Sequence, residues 1–295
     1  MGNRSFALAA LLVSALPATA AGAGDLKITF FDVGQGDAAL ITSPAGKTVL
    51  VDGGPPEASE RLAARLARLA HPIDLVVLSH RHLDHLGGLE RVILTVGART
   101  FLDPPFPHKS REYARLVATL AVRGVTVRDA AKGRAIDLGG GATMTLLGPP
   151  SPPLVGTRSD VNANSVVLRV DFKSASILFT GDAEAATERW LLHGESASRL
   201  RARVVKVAHH GSRYASTAEF VAAVAPEIAV ISDGAHNRYG HPAAATVARW
   251  QAAGARVLRT DRDGEITVTS DGTAITVTTE RAPSPRTTDA TEVNP

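Results

Sequence analysis

The chain of 295 residues contains no cysteine. That excludes disulfides, thiolate metal ligands and a cysteine-linked lipid anchor. Aromatic residues are scarce at 4%, which argues against an extended platform for stacking unpaired nucleic-acid bases. After the first two dozen residues, no charge-free apolar run is long enough to span a bilayer. A strong charge of one sign is missing too, since 32 Lys and Arg against 29 Asp and Glu leave a formal +3. So mild a balance tolerates a polyanionic substrate without requiring one.

What is present suffices for a large core, with 44% of residues apolar and 21% charged. The amino terminus has its own pattern. Arg4 precedes the apolar stretch FALAALLVSALPATA, then small residues recur at Ala18, Ala20, Ala21 and Ala23. A basic start, a short apolar run and an Ala-x-Ala site describe a signal peptide over 1–23, and hence a periplasmic or secreted protein without stable membrane insertion. A hydrolase-sized domain is expected over 24–280, and the polar, Pro-containing stretch 281–295 reads as a disordered tail.

Strand-like runs and helical periods alternate along the domain. KITFFDV, ALITS and TVLVD read as a meander, with a turn at Pro44-Ala45-Gly46. A helix over about 57–70 sets Leu62, Leu66 and Leu69 on one face and Arg61, Arg65 and Arg68 on another. IDLVVLS reads as a strand buried on both faces. A helix over 110–123 has Leu116, Val117 and Leu120 as its inner stripe, and strands follow at 125–128 and 143–147. The Pro-rich stretch 148–156 reads as a loop. Beyond it, SVVLRVD, SILFT, RVVKVA and EIAVIS alternate with helices at about 183–193, 216–224 and 242–253. Two halves of similar content suggest two facing sheets with helices outside.

Directly after IDLVVLS stands His80-Arg81-His82-Leu83-Asp84-His85, followed by Leu86-Gly87-Gly88. Three imidazoles and a carboxylate within six residues are costly to hold together unless a cation binds them, and both are natural donors to zinc-like ions. SILFT ends in Gly181-Asp182, where Asp182 is either a ligand at a strand tip or the N-cap of the next helix. RVVKVA runs into His209-His210-Gly211-Ser212, and EIAVIS into Asp233-Gly234, with His241 close behind in Tyr239-Gly240-His241-Pro242. Polar groups gathered at strand ends are how α/β folds build sites.

Taken together, these motifs resemble the metallo-β-lactamase superfamily. Asp32-Val33-Gly34-Gln35-Gly36-Asp37-Ala38, Val51-Asp52-Gly53-Gly54, Asn164-Ser165-Val166-Val167-Leu168, Thr180-Gly181-Asp182, the His-His-Gly-Ser run and Arg259-Thr260-Asp261 are similar to one branch, the hydrolase domain of ComEC competence proteins. The resemblance runs from about 26 to 279. It implies a four-layer αββα sandwich and two divalent metal ions, zinc or manganese. His80 and His82 would hold one ion. Asp84 and His85, with one of His209 or His210, would hold the other, and Asp182 would bridge them. Asp52 would orient a ligand from behind, with Asp32 and Asp37 in similar supporting places. The family often supplies a further His between the HxHxDH run and the bridging Asp. Only His108 lies there, and it reads as a loop residue, while Asn164 stands near the corresponding place as a substrate or supporting residue.

The expected chemistry is hydrolysis by a metal-activated water in which Asp84 takes part. His241, or whichever of His209 and His210 is not a ligand, would donate to the leaving group. Ser212 and Gly211 would receive a phosphate oxygen. The substrate favoured is a phosphodiester such as DNA, contacted through its backbone, and no protein partner is indicated. An envelope phosphate ester of the phosphorylcholine type, or a lactone or β-lactam, is the alternative within hydrolysis. A non-catalytic, metal-stabilised binding module is the alternative outside it.

Overall fold

The computed structural model describes residues 24–281. The expected signal peptide, and the tail from 282 onward, lie outside the described residues. The chain lays down β1 (Leu26–Phe30), β2 (Ala39–Thr42), β3 (Thr48–Val51), α1 (Ser59–Leu66), β4 (Ile73–Val77), α2 (Leu83–Leu86) and α3 (Leu89–Thr95). Next come β5 (Ala98–Asp103), α4 (Arg111–Val122), β6 (Thr126–Asp129), β7 (Ala135–Gly139), β8 (Ala142–Leu146) and α5 (Asp160–Ala163). β9 (Leu168–Phe172), β10 (Ala175–Phe179), α6 (Ala185–His193), β11 (Val204–Lys206), α7 (Ala218–Val224) and β12 (Ile228–Ile231) follow. The last elements are α8 (Ala244–Ala252), β13 (Arg256–Arg259), α9 (Thr260–Asp263), β14 (Ile266–Ser270) and β15 (Ile275–Thr279).

Among the described residues these strands form an eight-stranded sheet in the order β15-β14-β1-β2-β3-β4-β5-β6 and a seven-stranded sheet in the order β13-β12-β11-β10-β9-β8-β7. The inner faces meet in one core in which β1 and β10 contribute Phe30 and Phe179, stacked at 5.7 Å. A second core lies between the first sheet and α1, α3 and α4, and a third between the second sheet and α6, α7 and α8. This is the four-layer αββα sandwich, and among the described residues no helix is long and apolar enough to cross a membrane.

The division into two halves is corrected by β14 and β15. They return to the first sheet, where β14 pairs antiparallel with β1 through Leu26 and Ser270. Their alternating Ile-Thr-Val-Thr pattern specifies a half-buried strand but not which edge it joins. Two helices also differ from expectation. The 57–70 helix is a turn of 3₁₀ at Pro56–Ala58 followed by α1, ending at Leu66. In α4, Leu116 and Leu120 are buried, whereas Val117 is 43% exposed. A stripe at i and i+4 already seats this helix, and i+1 turns about 100° away. β5 falls in a stretch, RVILTVGARTFLD, that is apolar enough to satisfy either period.

The fold positions the site by strand order. β3, β4, β10, β11 and β12 are interior strands of their sheets, with β3–β4 and β10–β11–β12 parallel. The carboxyl ends of these strands therefore open on one edge of the sandwich.

Candidate metal centre

Each donor sits at or just past a strand tip. β3 runs into Asp52, which takes a left-handed backbone at φ 60°. Its carboxylate accepts from the Ser79 amide and hydroxyl, both at 2.7 Å, and meets His85 Nδ1 at 2.9 Å. Asp52 thus ties the exits of β3 and β4 together and turns His85 so that Nε2 faces Asp182. Past β4, His82 keeps an extended backbone before α2 begins, so Asp84 and His85 share its single turn.

Past β10 the chain turns at Gly181 with φ +50°, and the Asp182 amide donates to Ser165 Oγ. α6 starts with Glu184, not Asp182, at its cap position. Asp182 Oδ1 is 3.3 Å from His85 Nε2. Its Oδ2 has three imidazole Nε2 atoms around it, those of His80 at 3.8 Å, His209 at 3.8 Å and His210 at 3.7 Å.

His209 and His210 both have left-handed backbones, at φ 51° and 52°. Such a conformation costs a non-glycine residue of the order of 1 kcal/mol or more and concentrates at functional sites. Its result is that the two neighbours part. His210 Nδ1 meets the Ser232 carbonyl at 2.9 Å, leaving Nε2 3.2 Å from Asp84 Oδ2. His209 Nδ1 meets Glu184 Oε1 at 3.0 Å.

Four donors, from Asp84, His85, Asp182 and His210, lie within 4.8 Å of one another. His85 Nε2, His210 Nε2 and Asp182 Oδ1 are buried with no hydrogen-bond partner. Buried, unpaired acceptors and donors aimed at one point are expensive unless a cation sits there, so the donor set fits a divalent ion. Imidazole and carboxylate without thiolate suit zinc or manganese. His80 Nε2, 3.1 Å from His82 Nδ1, flanks Asp182 on the other side, where donors for a second ion are less tightly drawn together.

The proton affinities carry the same signature. Burial alone would depress His210, but the carboxylates of Asp182 and Asp37 outweigh it and bring it up to about 10. His85 is likewise raised against its burial, by Asp182, Asp52 and Asp84. Burial raises Asp182, yet the imidazoles of His85, His210 and His209 hold it well below the carboxylate range. Protons on these imidazoles stand in the places that cations take when bound. Burial, helped by the neighbouring His85 charge, drives His80 the other way, down to a neutral ring.

The remaining expectations divide. Asp37 lies behind the ligands, 3.5 Å from His210 Nδ1 and 3.7 Å from His85 Nδ1. Asp32 does not. It sits on the outside, where Oδ2 accepts from Arg281 at 2.8 Å, and short range in sequence did not bring it to the centre. Asn164 is spent on structure, since its amide accepts from the Leu154 amide and donates to the carbonyls of Leu154 and Asp160. Ser212 and His241 both line the cleft over the donors. Burial and the nearby His210 and His209 hold His241 down at about 4. His108 is in a loop, as expected, but that loop faces the cleft and sets its ring 5.4 Å from that of His82.

Three supporting residues were not singled out beforehand. Lys206, buried on β11, donates to Asp37 Oδ2 and offsets its buried charge. Its apolar neighbours Val204, Val205 and Val207 mark a buried strand, so a lysine there was the available signal. Glu184 follows Asp182 by two residues and takes Arg158 as well as His209. Arg81, between the first two histidines of the HxHxDH run, donates to Asp103 at 2.9 Å and to the Pro104 carbonyl.

The described architecture and this centre define a class. Residues 31–236 match the model of the metallo-beta-lactamase superfamily, and the chain belongs to that family of metal-dependent hydrolases. Within it the chain is similar to competence proteins. It is 31% identical over 241 residues to competence protein ComA of Neisseria gonorrhoeae, covering 81% of this chain and 31% of that protein. With ComE operon protein 3 of Bacillus subtilis it shares 27% over 264 residues, covering 81% and 32%. The chain therefore spans about a third of the length of these relatives. Among solved structures, zinc-bound PqqB from Methylobacterium extorquens superposes with a TM-score of 0.53 at 13% identity, covering 82% of this chain and 99% of that one. YhfI from Bacillus subtilis gives 0.53 at 12%, covering 83% and 100%. These two likenesses concern the fold.

Proposed function

We propose that the protein is a phosphodiesterase that hydrolyses DNA outside the cytoplasm, using two divalent ions, zinc or manganese. The observation that carries this reading is the setting of Asp182. It is shared by two neighbouring donor groups and opens into a cleft of about 620 Å³ lined by Arg158, His108, His209, Ser212 and His241. A cationic and hydroxyl-bearing lining suits phosphate oxygens, and a paired-ion arrangement suits an in-line displacement at phosphorus. The similarity to competence proteins supports nucleic acid as the substrate, and the amino-terminal pattern supports export.

In this reading Asp84, His85, His210 and Asp182 hold one ion, and His80 and His82 with Asp182 hold the other. Bound divalent ions supply Lewis acidity and a water activated near neutral pH. The chain's own residues do the rest. Asp52 and Asp37 fix the imidazoles, and Lys206 offsets the charge of Asp37. Ser212 faces the phosphate. His241, or His209 anchored by Glu184, serves the leaving group.

The test is nicking of supercoiled plasmid in manganese or zinc, with His82→Ala/Asp84→Ala as the comparison. The reading expects at least a hundredfold loss in the double variant. Equal rates would dismiss a metal-dependent nuclease. Hydrolysis of bis-p-nitrophenyl phosphate without any action on DNA would point to a small envelope ester instead. Metal binding with no hydrolysis of either would point to a binding module.

A further inference from the structure

Arg158, Asn162 and Tyr214 form a group in the cleft of which the chemistry above uses only Arg158, and that only as part of a cationic lining. Arg158 lies in the loop before α5, Asn162 within α5, and Tyr214 just past the His-His-Gly-Ser turn. All three line the same cleft as Asp84, Asp182 and His209. The guanidinium carbon of Arg158 stands 3.7 Å from the centre of the Tyr214 ring. Its Nη2 donates to Glu184 Oε1 at 3.0 Å and its Nε to Oε2 at 3.3 Å. One edge of the guanidinium is thereby fixed to Glu184, and the edge bearing Nη1 is left for another anion.

Tyr214 is 47% exposed. Asn162 is the opposite case. It is 3% exposed, and its Oδ1 is buried without a partner, while its Nδ2 approaches Glu184 at 3.5 Å. A buried amide carbonyl with nothing to accept from is a cost that a bound donor removes.

A fixed cation, an open aromatic ring and an unsatisfied acceptor, a few residues from a phosphodiester-cleaving centre, are the parts of a nucleotide pocket. We propose that Arg158, Asn162 and Tyr214 form a subsite for the nucleotide flanking the cleaved bond, and that this subsite selects an unpaired strand. The neighbouring phosphate lies on the free edge of Arg158. The base lies against Tyr214, and a base amine or sugar hydroxyl donates to Asn162 Oδ1. A base inside a duplex has both faces stacked on its neighbours and cannot present one to a ring, whereas an unpaired base can. The low aromatic content excludes an extended stacking platform, but one base needs one ring, and of the 3 tyrosines in the chain Tyr214 and Tyr239 both line this cleft. The inference rests on the phosphodiesterase reading for its substrate, but binding tests it separately.

The experiment uses fluorescence anisotropy with the zinc-loaded full chain and a labelled 12-nucleotide phosphorothioate DNA strand, against the same sequence closed into a hairpin duplex. Alongside it, hydrolysis of an ordinary strand and of bis-p-nitrophenyl phosphate is followed. The strand is expected to bind about tenfold more tightly than the hairpin. Tyr214→Ala and Arg158→Gln should each lose most of that preference, and Tyr214→Phe, which keeps the ring, should retain it. In hydrolysis, Tyr214→Ala should raise KM for the strand about tenfold with less than a threefold change in kcat. Equal binding of strand and hairpin, or strand affinity unchanged to within twofold in Tyr214→Ala and Arg158→Gln, overturns the subsite. Failure to hydrolyse either substrate overturns the phosphodiesterase reading, and the binding comparison still decides the subsite.

Discussion

Asp233 shows how one side chain on the supporting layer sets a cost that pH reveals. Its carboxyl is fully buried with neither oxygen hydrogen-bonded, and Arg259 Nη2 reaches only to 3.6 Å. Burial, reinforced by the charge of Asp261 and opposed by Arg259, pushes it up to about 8. An unfolded aspartate titrates near about 4. Below that pH both states carry the proton and nothing is lost. Between about 4 and 8 the folded state holds a proton that the unfolded chain has released, so this carboxyl's contribution to stability falls as pH rises. Asp233→Asn removes the titration while keeping the shape. Its melting temperature should therefore gain on the wild type by roughly 5 °C or more between pH 4 and pH 8. A difference that stays constant across that range would contradict the assignment.

Between elements, the site depends on how closely the β3 exit and the α2–α3 corner interlock. The Gly53 amide donates to the His85 carbonyl at 2.7 Å and the Gly88 amide to the Gly54 carbonyl at 3.0 Å. A Cβ on Gly88 would run into the Gly53 carbonyl oxygen, a backbone atom that cannot swing aside. The corner that carries Asp84 and His85 is thus seated by the absence of a side chain. Gly88→Ala should cost about 1–3 kcal/mol and weaken metal binding together with stability, because α2 must move to relieve the overlap. Calorimetric melting and zinc titration of the same variant check both. A variant that lost stability with unchanged zinc affinity would show that the corner does not position the ligands.

For the protein as a whole, the cores carry the stability, since no cysteine is available to cross-link it, and cations bound as proposed would add to it. A reducing agent should leave the melting temperature where it is. A chelator should lower it, by roughly 5–10 °C if the ions are present at a hundred times their dissociation constant. It should also act more readily at low pH, because protons compete for His85 and His210. Differential scanning calorimetry with and without chelator measures this, and an unchanged transition would mean that the donors are held together by the fold alone.

Much of this was legible along the chain. The HxHxDH run, the strand tips at Gly181-Asp182 and His209-His210, and the alternation of buried strands with helices follow from local residue chemistry and periodicity. Donor identity is a property of each side chain and survives without knowledge of the fold. Convergence is not local. Asp32 and Asp37 share one short segment, yet only Asp37 reaches the centre, because the turn through Gly34 and Gly36, both with positive φ, parts them and leaves Asp37 to Lys206 and Asp32 to Arg281. Lys206 meets Asp37 across 169 residues, a contact set by two sheets packing face to face rather than by spacing. The left-handed backbone at His209 and His210 sends one ring toward Asp84 and the other toward Glu184, and no sequence pattern specifies that split. Asn164 turned out to brace a loop for the same reason, since hydrogen-bond partners exist only once distant backbone has been brought to it. Residue types determined which atoms can bind a cation, and the packing of two sheets face to face decided which of them meet.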